Sequence, residues 1–198
     1  PAPAQFASLQ PQLLECMRAA QSERAADAFV IWSLCAPPTQ QASSALTFER
    51  CPAHLRPFWD TSVAGPLRER EIAAGMVEAN LTNEVSTAVR AQYEQSPYPR
   101  WVELGQQSEE AAPSMLARTF STYRRAAAPT LDGILIAGCG SGHHALQVAR
   151  KNPATPVLAI DLSIASLAHG VRRSRELGIE NVEFKHLDLL HVSDLKRQ

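Results

Sequence analysis

The sequence predicts an α/β protein in which a mainly helical N-terminal region precedes three parallel strands with crossover helices. Residues 134–137 and 157–160 are apolar runs without polar alternation, as expected for parallel strands that are covered on both faces. Residues 182–187 form the third predicted strand, and helical patterns over 143–151 and 163–177 lie between the strands. This alternation is typical of an open sheet with right-handed crossovers.

The pattern divides the chain into a helical region, 1–128, and a sheet region, 129–198. Prolines interrupt the apolar pattern near the N-terminus, which predicts short helices broken by prolines and an irregular connection around Pro52 and Pro57. A second helical block is predicted from about 66 to 95 and a further helix over 113–127. The helical region therefore contributes no predicted strand to the sheet.

Composition excludes several classes of protein. Of the 198 residues, 45% are apolar and 20% are charged, which is sufficient for a folded core. The net charge of −1 argues against broad binding to nucleic acid through phosphates. No apolar run approaches the roughly 20 residues of a membrane span. The four cysteines have neither CxxC nor metal-ligand spacing, so we expect free thiols in a cytoplasmic protein that holds no metal.

A glycine loop, Gly138-Cys139-Gly140-Ser141-Gly142, lies directly between the first strand and its helix. Glycines allow the backbone to turn sharply and to approach a ligand closely, with the N-terminus of the helix facing that ligand. Asp161 ends the next strand, where a carboxylate can accept hydrogen bonds from both ribose hydroxyls of an adenine nucleoside. Both strand ends therefore point to one nucleoside-binding crevice.

The spacing of the glycines distinguishes two kinds of nucleoside ligand. The dinucleotide fingerprint G-x-G-x-x-G/A requires a small third residue, and that position is His143 here, whereas the third glycine comes one residue earlier at Gly142. A ligand without a pyrophosphate fits this pattern better. The sequence therefore favours S-adenosyl-L-methionine over NAD, and a nucleotide-dependent oxidoreductase is the less favoured alternative.

Three segments, residues 134–142, 159–163 and 184–190, resemble motifs of the class I S-adenosylmethionine-dependent methyltransferases, which have a Rossmann-like fold. The resemblance implies that the glycine loop contacts the methionine portion of the cofactor and that Asp161 binds its ribose. It also implies further cofactor contacts at Gly138, Cys139, Gly140 and Gly142 of the loop, Leu162 against the adenine face, Asp188 at the adenine amino group and the Leu189 backbone N–H at the ring. His143 is interpreted as an ordinary helix-start residue, with a cofactor contact as the alternative. The pattern departs from many family members at Ile136, where those proteins carry an acid.

A second, narrower resemblance covers residues 67–71, 89–94 and 97–101, which are similar to the region before the methyltransferase domain in bacterial proteins that often carry tetratricopeptide repeats. It implies no particular methyl acceptor, so a small molecule and a protein both stay open. Within this region, prolines make residues 93–101 a stiff aromatic segment. The segment is either a lid, in which Tyr98 and Arg100 contact the cofactor, or a plug that packs the helices onto the sheet.

The chain ends soon after the third predicted strand, which predicts that it holds only the first half of such a fold and is incomplete for catalysis. No residue can be assigned as a catalytic base. An exposed sheet edge would then favour self-association. The alternative is a non-catalytic module that binds a partner protein through its helical region. The basic run at 172–175 is interpreted as the solvated face of a helix.

Overall fold

The computed structural model describes residues 3–19, 22–35, 44–79, 83–95, 101–105, 112–119 and 132–195. They form two compact units that divide between Arg68 and Glu69. The division at residues 128 and 129 follows a change in sequence pattern and stays a prediction. Within the described ranges, no helix is both long enough and apolar enough to cross a membrane.

The first unit is helical, as predicted, but its prolines interrupt it less than expected. Its elements are α1 (Pro3–Ala19), α2 (Ser22–Cys35), a 3-10 turn (Ala53–Leu55), α3 (Arg56–Trp59), a π turn (Asp60–Ala64) and the start of α4 (Gly65–Ala74). Helix α1 continues through Pro11, and helical structure replaces the irregular connection predicted around Pro57. Pro57 lies in a first helical turn, where the missing N–H has no helical partner to lose. Met17, Phe29 and Trp32 centre a buried core.

The second unit contains a parallel sheet in the order β1-β2-β3, formed by β1 (Ile134–Ala137), β2 (Val157–Asp161) and β3 (Val182–His186). Helix α7 (His143–Lys151) connects β1 to β2, and α8 (Ile164–Leu177) connects β2 to β3. This arrangement confirms the predicted fold class, a helical N-terminal region followed by part of a Rossmann-like α/β fold. The strands are in register at Ile136, Ala159 and Phe184.

Coverage of the sheet differs between its strands. Ile136, Ala159 and Phe184 pack with Leu167 in the core cluster beneath helices α7 and α8. Leu135 points away from that cluster and is 44% exposed, because β1 lies at an edge of the described sheet. The prediction of a strand covered on both faces is therefore wrong for β1, although it is confirmed for the buried core of β2. Self-association through this edge stays a prediction.

The helical block predicted over 66–95 is two helices. Helix α4 ends at Ala74, and α5 (Glu84–Gln95) begins after Asn83, whose side-chain oxygen accepts hydrogen bonds from the N–H groups of Val85 (2.9 Å) and Ser86 (3.2 Å). Asparagine is a favoured residue at this position because it satisfies N–H groups that have no partner within the helix. The predicted helix over 113–127 corresponds to α6 (Ala112–Thr119), and its remainder lies outside the described residues.

A buried ion cluster joins α4 to α8. The Glu69 carboxylate accepts hydrogen bonds from His169 Nδ1 and Arg172 Nε, both at 2.9 Å. Burial alone would raise the pKa of Glu69, but the hydrogen bonds and charges of His169 and Arg172 outweigh it and lower this pKa. Arg172 also bonds Glu176 at 2.8 Å. The predicted solvated face is therefore wrong at Arg172, which is buried because its charge is paired.

Candidate functional site

A cavity of 340 Å³ lies at the carboxyl ends of the three strands, where open α/β sheets bind their ligands. Its volume falls within the range of about 300–1,000 Å³ that is typical of small-molecule sites. Six of the predicted site residues line it: Gly138, Cys139, Gly140, Asp161, Leu162 and Leu189. Val89, Ser166 and Leu187 also line the cavity and were not predicted as site residues, and Tyr93, the first residue of the segment predicted to be a lid or a plug, lines it too. The sequence thus predicted a shared location for the six, while their contact with a cofactor stays a prediction.

The glycine loop turns as its sequence predicts, since Gly138, Gly140 and Gly142 all have positive φ values of 68°, 53° and 83°. Gly142 has a different role from the other two. A Cβ atom there would come within 2.8 Å of the Phe184 ring and 3.0 Å of the Gly170 Cα atom. Gly142 therefore packs beneath the loop, between β3 and α8, and is not one of the residues that line the cavity.

Asp161 fixes the loop through both of its side-chain oxygens. Its Oδ2 accepts the Gly140 N–H at 2.7 Å, and its Oδ1 accepts the Ser163 N–H at 2.9 Å. An ionised carboxylate offers about four acceptor positions. Two backbone N–H groups therefore leave each oxygen able to accept one more donor, which suits a pair of neighbouring hydroxyls in the cavity that Asp161 lines.

Cys139 lines the same cavity, but its thiol is not activated as a nucleophile. Burial raises the pKa of its thiol strongly, and the Asp161 carboxylate raises it further. Cys139 is therefore a neutral thiol at pH 7, and the structure gives it no role as a thiolate nucleophile. In the described ranges, no group of three or more His, Cys, Asp or Glu side chains is placed to hold a metal ion.

Asp188 lies at the end of β3, where its Oδ1 accepts the Leu190 N–H at 2.9 Å and caps the 3-10 turn Leu189–Asp194. Interaction with the Ser86 hydroxyl and this backbone hydrogen bond lower the pKa of Asp188, so it is ionised at neutral pH. Its Oδ2 is buried and has no hydrogen-bond partner among the residues that the structure describes. A buried acceptor without a partner is costly, and a ligand N–H would satisfy it.

Helix α5 closes one side of the cavity, which the sequence did not predict. Val89 and Tyr93 line the cavity from this helix. The residue after Tyr93, Glu94, accepts the Ile164 N–H at 2.6 Å and the Ala165 N–H at 3.3 Å. Its carboxylate thus lies at the positive N-terminus of α8, which begins three residues after Asp161. No local pattern could reveal this contact, because about 70 residues separate its partners.

His186 forms two hydrogen bonds that hold the backbone next to the cavity in position. Its Nδ1 accepts the Ala79 N–H at 2.7 Å, so Nε2 carries the proton and donates to the Leu162 carbonyl oxygen at 2.9 Å. Only the neutral ring with hydrogen on Nε2 makes both bonds. The ring therefore ties the segment before α5 to the Leu162 backbone, and it holds one wall of the cavity in position.

Trp101 packs against the glycine loop, where its indole N–H donates to the Ser141 carbonyl oxygen at 3.1 Å. Its ring makes edge contacts with His143 and His169, at centroid distances of 5.1 and 5.4 Å, and the Arg173 guanidinium lies 5.0 Å from its centre. His143 thus faces Trp101 and is not among the lining residues of the cavity.

These contacts are the packing that a plug would make at its C-terminal end. Tyr98 and Arg100, the two predicted cofactor contacts of the segment, lie outside the described residues. The choice between lid and plug therefore stays open for them, and so does the predicted cofactor contact of His143.

Replacing Glu94 with glutamine is expected to lower the free energy of unfolding by about 1 kcal/mol, because a charge at the N-terminus of a helix is replaced by a neutral amide. Urea denaturation measures this change. Glu78→Gln is the matched control, because Glu94 and Glu78 both pair with Arg90, at 3.9 and 3.0 Å, but Glu78 is exposed. We expect Glu78→Gln to cost less than about 0.5 kcal/mol. Equal losses in the two variants would show that Glu94 contributes only its surface charge.

Comparison with known proteins supports a methyltransferase. Residues 134–198, about a third of the chain, match the model of a family described as a methyltransferase domain. The chain is 32% identical over 60 residues to the tRNA (guanine-N(7)-)-methyltransferase of Rubrobacter xylanophilus and 37% identical over 51 residues to the enzyme of that name from Christiangramia forsetii. These alignments cover 30% and 26% of the chain, and 27% and 23% of the two enzymes.

Among solved structures, the chain is similar to coclaurine N-methyltransferase, whose crystal structure holds N-methylheliamine and S-adenosylhomocysteine (SAH). The identity is 17% and the TM-score 0.34, over 93% of this chain and 51% of that one. The chain spans about a quarter of the length of the curated relatives that it matches. The match to the family model begins with β1 and includes the glycine loop.

Proposed function

We propose that this chain is the cofactor-binding part of an S-adenosylmethionine-dependent methyltransferase. The observation that carries the proposal is the pair of carboxylates at the ends of neighbouring strands, Asp161 and Asp188, each with acceptor positions that no described residue uses fully. The glycine loop and Asp161 line one cavity together with Leu187 and Leu189, the two residues that flank Asp188 in the chain. A ligand that carries two hydroxyls and an amino group at opposite ends of a nucleoside fits this set of acceptors.

The proposed roles follow from these positions. Asp161 binds the two ribose hydroxyls, and the free Oδ2 of Asp188 accepts the adenine amino group. Leu162 and Leu189 contact the adenine ring, while Gly138 and Gly140 leave space along the loop for the methionine portion. When bound, the cofactor supplies a methyl group on a sulfonium sulfur, and the chain contributes by holding that group in a fixed place and direction.

The methyl acceptor is proposed to be a small molecule or a protein. A tRNA acceptor, which the names of the two bacterial relatives suggest, is less favoured because the net charge of −1 provides no general attraction for phosphates. Similarity to these enzymes extends over no more than 60 residues. The resemblance of residues 67–71, 89–94 and 97–101 to proteins that often carry tetratricopeptide repeats implies no particular acceptor, so a small molecule and a protein both stay open.

Calorimetric titration with SAH, and separately with NAD, tests the proposal. We expect a dissociation constant on the order of 10 μM or lower for SAH and no measurable binding of NAD. Binding of NAD without SAH would instead identify a nucleotide-dependent oxidoreductase. If the folded chain binds neither ligand, the proposal fails and a non-catalytic module becomes the better account; circular dichroism establishes that the chain is folded.

A further inference from the structure

The Ser166 hydroxyl is a polar group in the cavity that none of the proposed roles uses. Ser166 lies in the first turn of α8, five residues after Asp161, and its side chain lines the cavity. The residue is 1% exposed, and its Oγ has no hydrogen-bond partner in the part of the chain that the structure describes. A buried hydroxyl without a partner is unfavourable, so its presence requires a cause.

Serines within helices usually avoid this cost by donating to a carbonyl oxygen three or four residues earlier. Two other helical serines of the chain do so: Ser33 bonds the Phe29 carbonyl oxygen and Ser174 bonds the Val171 carbonyl oxygen, both at 2.9 Å. Ser166 is the exception among these three.

Ser166 lies in the first turn of α8, so the carbonyl groups three and four residues earlier belong to Ser163 and Leu162, which precede the helix. The Leu162 carbonyl oxygen accepts the His186 Nε2–H at 2.9 Å, and the Ser163 carbonyl oxygen accepts the Leu167 N–H at 3.0 Å. The Ser166 hydroxyl bonds neither of them, so it lacks the bond that Ser33 and Ser174 make.

We infer that Ser166 is a specificity-determining residue whose hydroxyl donates a hydrogen bond to a ring nitrogen of the bound adenine. This inference rests on the proposed function. The two carboxylates, Asp161 and Asp188, are already matched to the donors of the nucleoside, its hydroxyls and its amino group. The ring nitrogens of adenine are acceptors, which a carboxylate cannot serve, and Ser166 Oγ is a buried hydroxyl donor without a described partner in a residue that lines the cavity.

The inference predicts two effects of opposite sign in Ser166→Ala. The urea midpoint of the ligand-free chain should be unchanged or higher, because an unsatisfied buried hydroxyl is removed. The dissociation constant for SAH should rise roughly 3- to 10-fold, as expected for one neutral hydrogen bond. Ser174→Ala is the matched control on the same helix, and we expect it to lower the urea midpoint and to leave the dissociation constant unchanged.

The experiment combines both readouts with a series of SAH analogues in which carbon replaces ring nitrogen 1, 3 or 7. One of these analogues should bind the wild-type chain more weakly than SAH does. The same analogue should bind Ser166→Ala no more weakly than SAH does, and this identifies the ring nitrogen that accepts the hydrogen bond from Ser166. Equal affinity of SAH for wild type and Ser166→Ala would overturn the inference, as would a urea midpoint lowered as far as in Ser174→Ala. Failure of the wild-type chain to bind SAH would overturn the proposed function and this inference with it.

Discussion

Replacing Asp161 with alanine is expected to abolish measurable binding of SAH and to lower the free energy of unfolding by about 3–6 kcal/mol. The stability loss follows because the carboxylate accepts the N–H groups of Gly140 and Ser163, and hydrogen bonds to charged groups contribute about 1.5–3 kcal/mol each. Binding is lost for two reasons, since the ribose acceptor disappears and the glycine loop loses its support. Calorimetry and urea denaturation on the same variant measure the two losses.

A control must separate these two causes. Ser163→Ala removes a hydroxyl that accepts the Ser166 N–H at 3.1 Å and caps α8, so it should cost about 1 kcal/mol in stability while it leaves both Asp161 oxygens in place. We expect it to bind SAH nearly as tightly as the wild type. If Ser163→Ala loses affinity as Asp161→Ala does, the role of Asp161 is to order the loop, and direct contact with ribose is contradicted.

Replacing Gly142 with alanine is expected to lower the free energy of unfolding by about 3 kcal/mol, the second large effect. A left-handed backbone, with φ of 83°, costs an alanine about 1–2 kcal/mol. The new Cβ would also lie 2.8 Å from the Phe184 ring, and overpacking of this kind costs about 1–3 kcal/mol. Urea denaturation measures the change, and a wild-type midpoint in Gly142→Ala would contradict the described loop.

Gly170 provides a control that isolates the steric part. A Cβ at Gly170 would lie 2.6 Å from the same Phe184 ring, but this residue is inside α8, where alanine is favoured over glycine by about 1 kcal/mol. Adding Phe184→Leu should therefore rescue Gly170→Ala largely and Gly142→Ala only in part, because the backbone cost and the contact with the Gly170 Cα atom persist. Equal rescue of both would show that the backbone conformation of Gly142 contributes little.

Local patterns were sufficient to predict the sheet region. The sequence predicts β1 and α7 with the bounds that the structure shows, because a short apolar run, a glycine loop and an amphipathic helix follow one another directly. The same pattern places Asp161 at the carboxyl end of β2, beside the loop. Each of these features depends on residues that are close in the chain.

Contacts over long sequence separations account for what the sequence could not predict. Val89 and Tyr93 line the cavity because α5 packs across it, and about 70 residues separate their neighbour Glu94 from the helix that it caps. The basic residues next to Arg172 in the sequence predict that it lies in solvent. Its charge is instead paired with Glu69, which is 103 residues away in the chain. The unpartnered hydroxyl of Ser166 could not be predicted either, since a sequence does not show which polar groups lack a hydrogen-bond partner after folding.

The placement of Trp101 gives the molecule a built-in optical reporter. The chain has three tryptophans, of which Trp32 and Trp59 belong to the first compact unit and Trp101 to the second. The Trp101 indole is bonded to the glycine loop through the Ser141 carbonyl oxygen and lies against a guanidinium group. Fluorescence from a chain in which the other two tryptophans are phenylalanine therefore comes from the indole on the glycine loop alone, so its emission follows the state of that loop in real time.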